Sequence, residues 1–153
     1  MGNMRFLLLF FTFYIFSDVS DYIEKTKSKY DQLALDLWDY AEMGYLETRS
    51  SKAMKDILID EGFSLDDGVA GIPTAVIAEY NNGGPIIGVL AEFDALPGVS
   101  QSTNPYRDSL GGDAGHACGH HLFGAASVHA AVAIKEYLKE TNQKGTIRLY
   151  GTP

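Results

Sequence analysis

The apolar positions of residues 21–44 recur at intervals of three, four and seven, which predicts an amphipathic helix with Ser20 as its N-cap. A second stripe predicts a helix over 48–61 or 50–61, with Gly62 at its C′ position. Both helices are interpreted as structural. The inner face of the first holds Ile23, Tyr30, Leu33, Leu37, Trp38 and Ala41. The inner face of the second holds Ala53, Met54, Ile57 and Leu58.

The pattern then changes to one typical of strands. Residues 74–80 predict a strand, and the Asn-Asn-Gly-Gly sequence at 81–84 is a hairpin signal that leads to a partner strand over 85–93. That partner is almost continuously apolar, so we expect it to be buried on both faces of a sheet. Its C-terminal end is then the place where a functional site would be built.

The rest of the chain predicts one loop, one helix and one strand. Residues 94–119 are rich in glycine and proline and predict a long irregular connection of a kind that is often functional. A largely buried helix is predicted over 120–140 or 121–140, followed by a turn at 142–145 and a strand that starts with 146–150 and ends at 151–153. The order of these elements predicts an α/β sandwich.

The first twenty residues differ from the remainder. Arg5 precedes an apolar run over 6–16, which has the length of a signal-peptide core and is too short to span a bilayer. Two interpretations stay open: export through a signal peptide, or a mis-set start codon in a cytoplasmic protein. We therefore divide the chain into a leader over 1–20 and a globular region over 21–153, which is a single domain or part of a larger one.

Composition excludes several classes of protein. Apolar residues make up 46% of the 153 positions, which is enough for one sizeable core and argues against disorder. The net charge is −8 and no run of lysine or arginine is long enough to follow a phosphate backbone, so no nucleic-acid partner is expected. A single cysteine excludes an internal disulfide framework.

Side chains that can bind a metal are concentrated at positions 116–121, which hold three of the four histidines and the only cysteine. Thiolate and imidazole are good ligands for zinc and related ions, and the flanking glycines let the backbone turn so that Cys118 and His120 face one centre. A metal site is our interpretation. Two alternatives stay open: purely structural side chains, or a nucleophilic Cys118 with His116 or His120 as its base.

Glu92 and Asp94 lie at the end of the apolar strand, two residues apart and therefore on one face. Carboxylates in this position act as metal ligands or as acceptors that fix the tautomer of a histidine. Charged residues are also common at the ends of purely structural strands.

Three segments together, 88–98, 115–120 and 145–153, resemble successive motifs of the M20 metallopeptidase family. The likeness covers residues 21–153 and is strongest to the amidohydrolase branch that includes the p-aminobenzoyl-glutamate and indole-acetyl-amino-acid hydrolases. The resemblance implies a three-layer α/β/α fold with a mixed sheet, as in zinc exopeptidases. Residues 21–153 then form the N-terminal part of the metal-dependent catalytic domain, which is incomplete here.

The resemblance also implies roles for individual residues. Cys118 and His120 take the positions of two metal ligands, His116 is a secondary candidate, and Asp94 supports the site from the preceding strand. His121 stands where relatives often have aspartate or asparagine. Family members use two zinc or manganese ions and a metal-activated water to split the amide bond of an N-acyl or aminobenzoyl amino acid or a dipeptide. The full-length form is expected to be a homo- or hetero-oligomer.

In this family a Glu-Glu pair that supplies the general base follows the motif that here ends at Pro153. We therefore expect an incomplete portion of the enzyme that is inactive by itself. The alternative is an inactive truncated remnant that binds a metal or a partner through its open sheet edge. Apolar surface left uncovered at that edge predicts aggregation or a molten state on expression.

Overall fold

The structure is a computed structural model, and it describes the backbone of residues 3–153 and the side chains from residue 19 onward. Helix α1 spans Asn3–Tyr40, so Ser20 lies inside it and the prediction that Ser20 caps the helix is wrong. The apolar run over 6–16, interpreted above as a signal-peptide core, lies outside the described side chains. Among the described residues, no helix combines the length and apolarity needed to cross a membrane.

Helix α1 ends at Tyr40, before the predicted end at Gly44, because the chain turns there to meet another segment. Ala41 has a φ of 43°, which breaks the helical path. The amide of Ala95 donates to the carbonyl of Glu42 at 2.8 Å, and Met43 forms a parallel bridge with Ala95. The first helix is thereby tied to the segment that carries Asp94.

Helix α2 spans Thr48–Asp60 and is followed by Gly62 with a φ of 84°, which confirms the predicted helix and its C′ glycine. The N-cap residue Glu47 makes no side-chain cap. Glu42 supplies the cap from the preceding loop, since its carboxylate accepts the backbone N–H of Arg49 at 3.1 Å and that of Ser50 at 2.8 Å.

The main sheet has four strands in the order β1-β2-β6-β3. In chain order, β1 is Ser64–Asp67, β2 is Val76–Asn81, β3 is Ile86–Glu92 and β6 is Thr146–Thr152. A short 3-10 helix over Val69–Gly71 joins β1 to β2, and the small strands β4 (Leu96–Pro97) and β5 (Ala114–Gly115) pair with each other. Strand β1 was not predicted, because its sequence Ser-Leu-Asp-Asp is polar and short.

The predicted hairpin between β2 and β3 is wrong, because β6 lies between them, antiparallel to β2 and parallel to β3. The turn at 81–84 instead packs against the residues that lead into β6. Asn82 donates from its side chain to the carbonyl of Gln143 at 2.9 Å. A Cβ on Gly84 would lie 2.9 Å from the backbone of Lys144, so the turn requires glycine there.

Helix α3 spans His120–Glu140, as predicted, and joins α1 and α2 in covering one face of the sheet. The prediction that β3 is buried on both faces is wrong, because β3 forms the sheet edge and Ile86, Ile87 and Leu90 are more than half exposed. The mixed α/β class is confirmed. The largest fully buried apolar side chains are Leu37, Met54, Leu58, Val76, Phe93, Val128, Val132, Ile147 and Leu149.

Candidate functional site

The ring of His120 lies between two carboxylates. Its Nδ1 is 2.6 Å from Oδ1 of Asp94, and its Nε2 is 2.9 Å from Oε2 of Glu92. Glu92 is the last residue of β3 and His120 is the first of α3. The two acidic side chains therefore reach one imidazole from the carboxyl end of a strand, as their two-residue spacing predicts.

Two glycines place His120 at this point. Gly119 has a φ of 85° and precedes α3, where that left-handed conformation turns the irregular connection into the helix. Gly124 faces the end of β3 one turn later, and a Cβ there would meet the carbonyl of Glu92 at 2.9 Å and the side chain of Phe93 at 3.2 Å. The close approach of helix and strand holds His120 against Glu92 and Asp94.

A neutral His120 ring cannot form hydrogen bonds with both of these carboxylates. A neutral imidazole carries one N–H, so it can donate to only one of the two carboxylates. The other nitrogen then directs its lone pair at a carboxylate oxygen unless a proton or a metal ion lies between them. If Nδ1 carries the proton and donates it to Asp94, Nε2 is left to bind a cation. This is the usual arrangement of a histidine ligand that is supported by a carboxylate.

Cys118 lies two residues before His120 and is an exposed free thiol. Within the part of the chain that the structure describes, no three side chains of histidine, cysteine, aspartate or glutamate are placed to hold an ion. The donor types at this point suit zinc and related divalent ions, but the number in place falls short of a complete set. The assignment of Cys118 and His120 as ligands stays a prediction.

His116 is turned towards α1. It is 5% exposed, and its Nε2 donates to the carbonyl of Leu37 at 2.9 Å. Burial lowers the pKa of His116, and its Nδ1 is buried without a hydrogen-bond partner. Because Nε2 is hydrogen-bonded to the carbonyl of Leu37 in α1, only Nδ1 is free to bind a metal. No pattern in the sequence predicted that His116 would connect the site to α1.

His121 does not share the surroundings of His120. Its ring lies edge-on to Trp38 with centroids 5.0 Å apart, and it is 5.0 Å from the ring of His116. Burial lowers the pKa of His121. Sequence reasoning missed the contact with Trp38, because Trp38 was interpreted only as part of an amphipathic stripe.

Comparison with known proteins identifies relatives of this chain. No protein-family model matches it. It is 37% identical over 141 residues to the B subunit of p-aminobenzoyl-glutamate hydrolase from Escherichia coli (strain K12), a match that covers 91% of this chain and 29% of that protein. It is 31% identical over 120 residues to an N-acetylcysteine deacetylase of Bacillus subtilis (strain 168), covering 77% of this chain and 30% of that protein. The chain therefore spans less than a third of either relative.

Solved structures share the fold. The Bacillus subtilis YXEP protein, a dinuclear metal-binding peptidase of the M20 family, superposes with a TM-score of 0.71 at 28% identity, over 85% of this chain and 36% of that chain. An aminobenzoyl-glutamate utilization protein from Klebsiella pneumoniae has a TM-score of 0.58 at 17% identity, over 89% of this chain and 38% of that chain. The second likeness concerns the fold alone.

Proposed function

Since this chain belongs to the M20 metallopeptidase family, we propose that it forms part of a metal-dependent hydrolase that cleaves amide bonds. The observation that carries the proposal is the position of His120. Its ring sits between Glu92 and Asp94 at the carboxyl end of β3, with Cys118 two residues away. A carboxylate-supported histidine next to an exposed thiol is a donor set that suits zinc better than manganese.

Each residue has a distinct task in this proposal. Asp94 accepts a hydrogen bond from Nδ1 of His120 and so fixes the tautomer that leaves Nε2 available. Cys118, as a thiolate, and His120 hold the metal, and His116 is a secondary ligand through Nδ1. When bound, zinc or manganese supplies Lewis acidity to the scissile carbonyl and to the attacking water. Glu92, whose carboxylate lies 2.9 Å from Nε2 of His120, would lie beside the bound cation and offset its positive charge.

We propose an amide of an amino acid as substrate, such as an N-acyl or aminobenzoyl amino acid or a dipeptide. Support comes from the two relatives, one a p-aminobenzoyl-glutamate hydrolase and the other an N-acetylcysteine deacetylase. The first relative is one subunit of its hydrolase, which supports assembly of the full-length form into a homo- or hetero-oligomer. Export through the leader over 1–20 stays a proposal that rests on its apolar run alone.

We also propose that these 153 residues do not hydrolyse amides by themselves. The described residues place fewer than three suitable side chains around any one ion position. A hydrolytic metal site normally has three protein ligands and a separate general base. Glu92, the glutamate at this site, already contacts His120.

The test is a calorimetric titration of the chain with Zn²⁺ and with Mn²⁺. We expect binding that is abolished by Cys118→Ser and by His120→Asn and is retained in Asp113→Asn, an exposed carboxylate of the same loop. Metal binding unchanged by the first two variants would overturn the ligand assignment. Amide hydrolysis by the chain that resists chelators and is blocked by thiol alkylation would instead favour Cys118 as a nucleophile.

A second candidate function, a non-catalytic module that binds a partner, is favoured by the exposed side chains of Ile86, Ile87 and Leu90. They lie on β3, at the edge of the sheet. An edge strand with apolar side chains is a template for pairing with another chain. Edge pairing does not need Cys118 or His120, so it should survive Cys118→Ser and His120→Asn, the two variants that abolish metal binding under the first candidate.

A further inference from the structure

A cleft of about 420 Å³ lies between α1 and the first turn of α3, outside the site of the proposed hydrolysis. Leu35, Trp38, His121 and Leu122 form most of its lining. Its volume falls within the range of about 300 to 1,000 Å³ that is usual for small-molecule sites. His120 and His121 are neighbours in sequence but face different surroundings, the first facing the strand end and the second facing Trp38.

The walls of this cleft suit a flat apolar group. Leu35 and Leu122 are 58% and 59% exposed although both are large aliphatic side chains. The indole of Trp38 forms a further wall and is held by the edge-on contact with His121 at 5.0 Å. Aromatic and aliphatic walls together favour an aromatic ring, which gains both apolar burial and offset stacking there.

One wall comes from a loop that is held by its own hydrogen bonds. Thr103 lines the cleft, and the residues around it hydrogen-bond to one another. The amide of Ser102 donates to the carbonyl of Asp108 at 2.8 Å, and the amide of Asn104 donates to Oγ of Ser102 at 3.0 Å. The side chain of Gln101 donates to the carbonyl of Tyr106 at 2.9 Å. The loop that forms this wall is therefore held by several internal hydrogen bonds.

The lining contains one carboxylate, that of Asp31, among mostly apolar side chains. A ligand whose ring fills the apolar part can place a positive charge near Asp31. We propose that this cleft binds an aromatic ring that carries a protonated amine, with the ring between Leu35, Trp38 and Leu122 and the amine beside Asp31. This second site does not depend on the metal or on hydrolysis.

Trp38 is the only tryptophan in the chain, so its fluorescence reports on the cleft directly. The experiment titrates the 153-residue chain with benzylamine, and with benzyl alcohol and cyclohexylmethylamine as matched probes that lack the charge or the aromatic ring. We expect a saturable change in Trp38 emission with benzylamine and weaker binding of both other probes. Equal, non-saturating responses to all three probes would overturn the proposal.

Variants locate the binding. Leu122→Ala should weaken benzylamine binding by about tenfold, because it removes one apolar wall. Ile59→Ala is the matched control, since Ile59 is 56% exposed on α2 and outside the cleft. Asp31→Asn should remove the preference for benzylamine over benzyl alcohol. Unchanged binding in Leu122→Ala and Asp31→Asn would contradict the assignment.

A second copy of the chain could fill the same cleft, and sedimentation at the titration concentrations detects that outcome. A dimer that is lost in Leu122→Ala, together with no binding of benzylamine, would replace the ligand proposal with a contact between copies. The Zn²⁺ titration is independent of both results, so the failure of one proposal does not affect the other.

Discussion

Tyr30 and His129 stack face to face, with ring centroids 3.8 Å apart and planes 10° from parallel. The contact joins α1 to α3. Oγ1 of Thr26 donates its one proton to the carbonyl of Tyr22 at 2.8 Å, so it accepts at 2.8 Å from Nε2 of His129. Nε2 of His129 therefore carries a proton, and burial, which lowers the pKa of the ring, favours its neutral form.

The first prediction concerns acid stability. Burial lowers the pKa of His129 below its ordinary value of 6.5, and the nearby charge of Asp31 acts in the opposite direction. Because the unfolded chain binds the proton more tightly, the stability that neutral His129 provides is complete above about pH 6.5 and is lost as the pH falls through the unfolded pKa towards the lower folded one. Chemical denaturation at a series of pH values between about 7.5 and about 5 measures this.

His129→Phe tests the assignment, because a phenyl ring keeps the stack on Tyr30 and cannot be protonated. We expect the variant to be less stable than the parent at about pH 7.5 through loss of the bond to Thr26, and to lose less stability as the pH falls. Parallel pH profiles for parent and variant would show that His129 does not contribute.

The second prediction concerns the cap of α2. Glu42→Gln should lower the free energy of unfolding by about 1 to 2 kcal/mol, because a charged acceptor is replaced at the backbone N–H groups of Arg49 and Ser50. Burial raises the pKa of Glu42, but the hydrogen bonds from Ser50 and Arg49 outweigh it and hold that pKa low. Urea denaturation at neutral pH gives the value.

Glu24→Gln is the control, since the side chain of Glu24 is 70% exposed and contacts only Lys27 among the described ion pairs. It should change stability by less than about 0.5 kcal/mol. Equal effects of the two substitutions would show that Glu42 has no special role as a cap.

The third prediction concerns the approach of α3 to β3. Gly124→Ala should destabilise the chain by about 1 to 3 kcal/mol, because the new Cβ would lie 2.9 Å from the carbonyl of Glu92. The helix must shift, and His120 would shift with it away from Glu92 and Asp94. We therefore expect weaker Zn²⁺ binding at a temperature where the variant is still folded.

Ala126→Ser is a control on the exposed side of the same helix. It should leave both the melting temperature and the Zn²⁺ affinity close to those of the parent. Normal Zn²⁺ binding in a folded Gly124→Ala chain would contradict the prediction, because it would show that the packing of α3 against β3 does not set the geometry of the metal site.

The fourth prediction concerns a buried lysine. Lys135 is 3% exposed, and its Nζ donates to the carbonyl of Glu61 at 2.7 Å and lies 2.6 Å from a carboxylate oxygen of Glu136. Lys135→Met should cost about 2 kcal/mol, since it leaves the carbonyl and the carboxylates without this partner. Lys139→Met is the control, because the side chain of Lys139 is 51% exposed and its loss should cost less than about 0.5 kcal/mol. Thermal denaturation compares the two, and similar shifts would contradict the prediction.

Local patterns were enough to predict α2 and α3. Both have an apolar face at helical spacing and a glycine at one end, so the information lies within each segment. The common orientation of Glu92 and Asp94 was also predictable, because the side chains of a strand point alternately to its two faces and this alternation is a local property. The resemblance to M20 metallopeptidases is confirmed in sequence and in fold.

Long-range pairing was not predictable from local patterns. The turn at 81–84 has the sequence of a tight hairpin, yet β6 enters between β2 and β3 from far along the chain. The contacts of His116 with Leu37 and of His121 with Trp38 join residues more than seventy positions apart, and no spacing rule relates them. The start of α1 was placed too late because Ser20 is a good cap in isolation.

The central position of β6 has a consequence for synthesis. The ribosome delivers β1, β2 and β3 before α3 and β6, so two strands wait with unpaired edges until residues 146–152 emerge. Nascent chains with such edges are exposed to incorrect pairing with one another. Strand pairs this distant in sequence also form slowly. A chaperone that shields β2 and β3 during translation should therefore raise the yield of native protein more than one supplied afterwards.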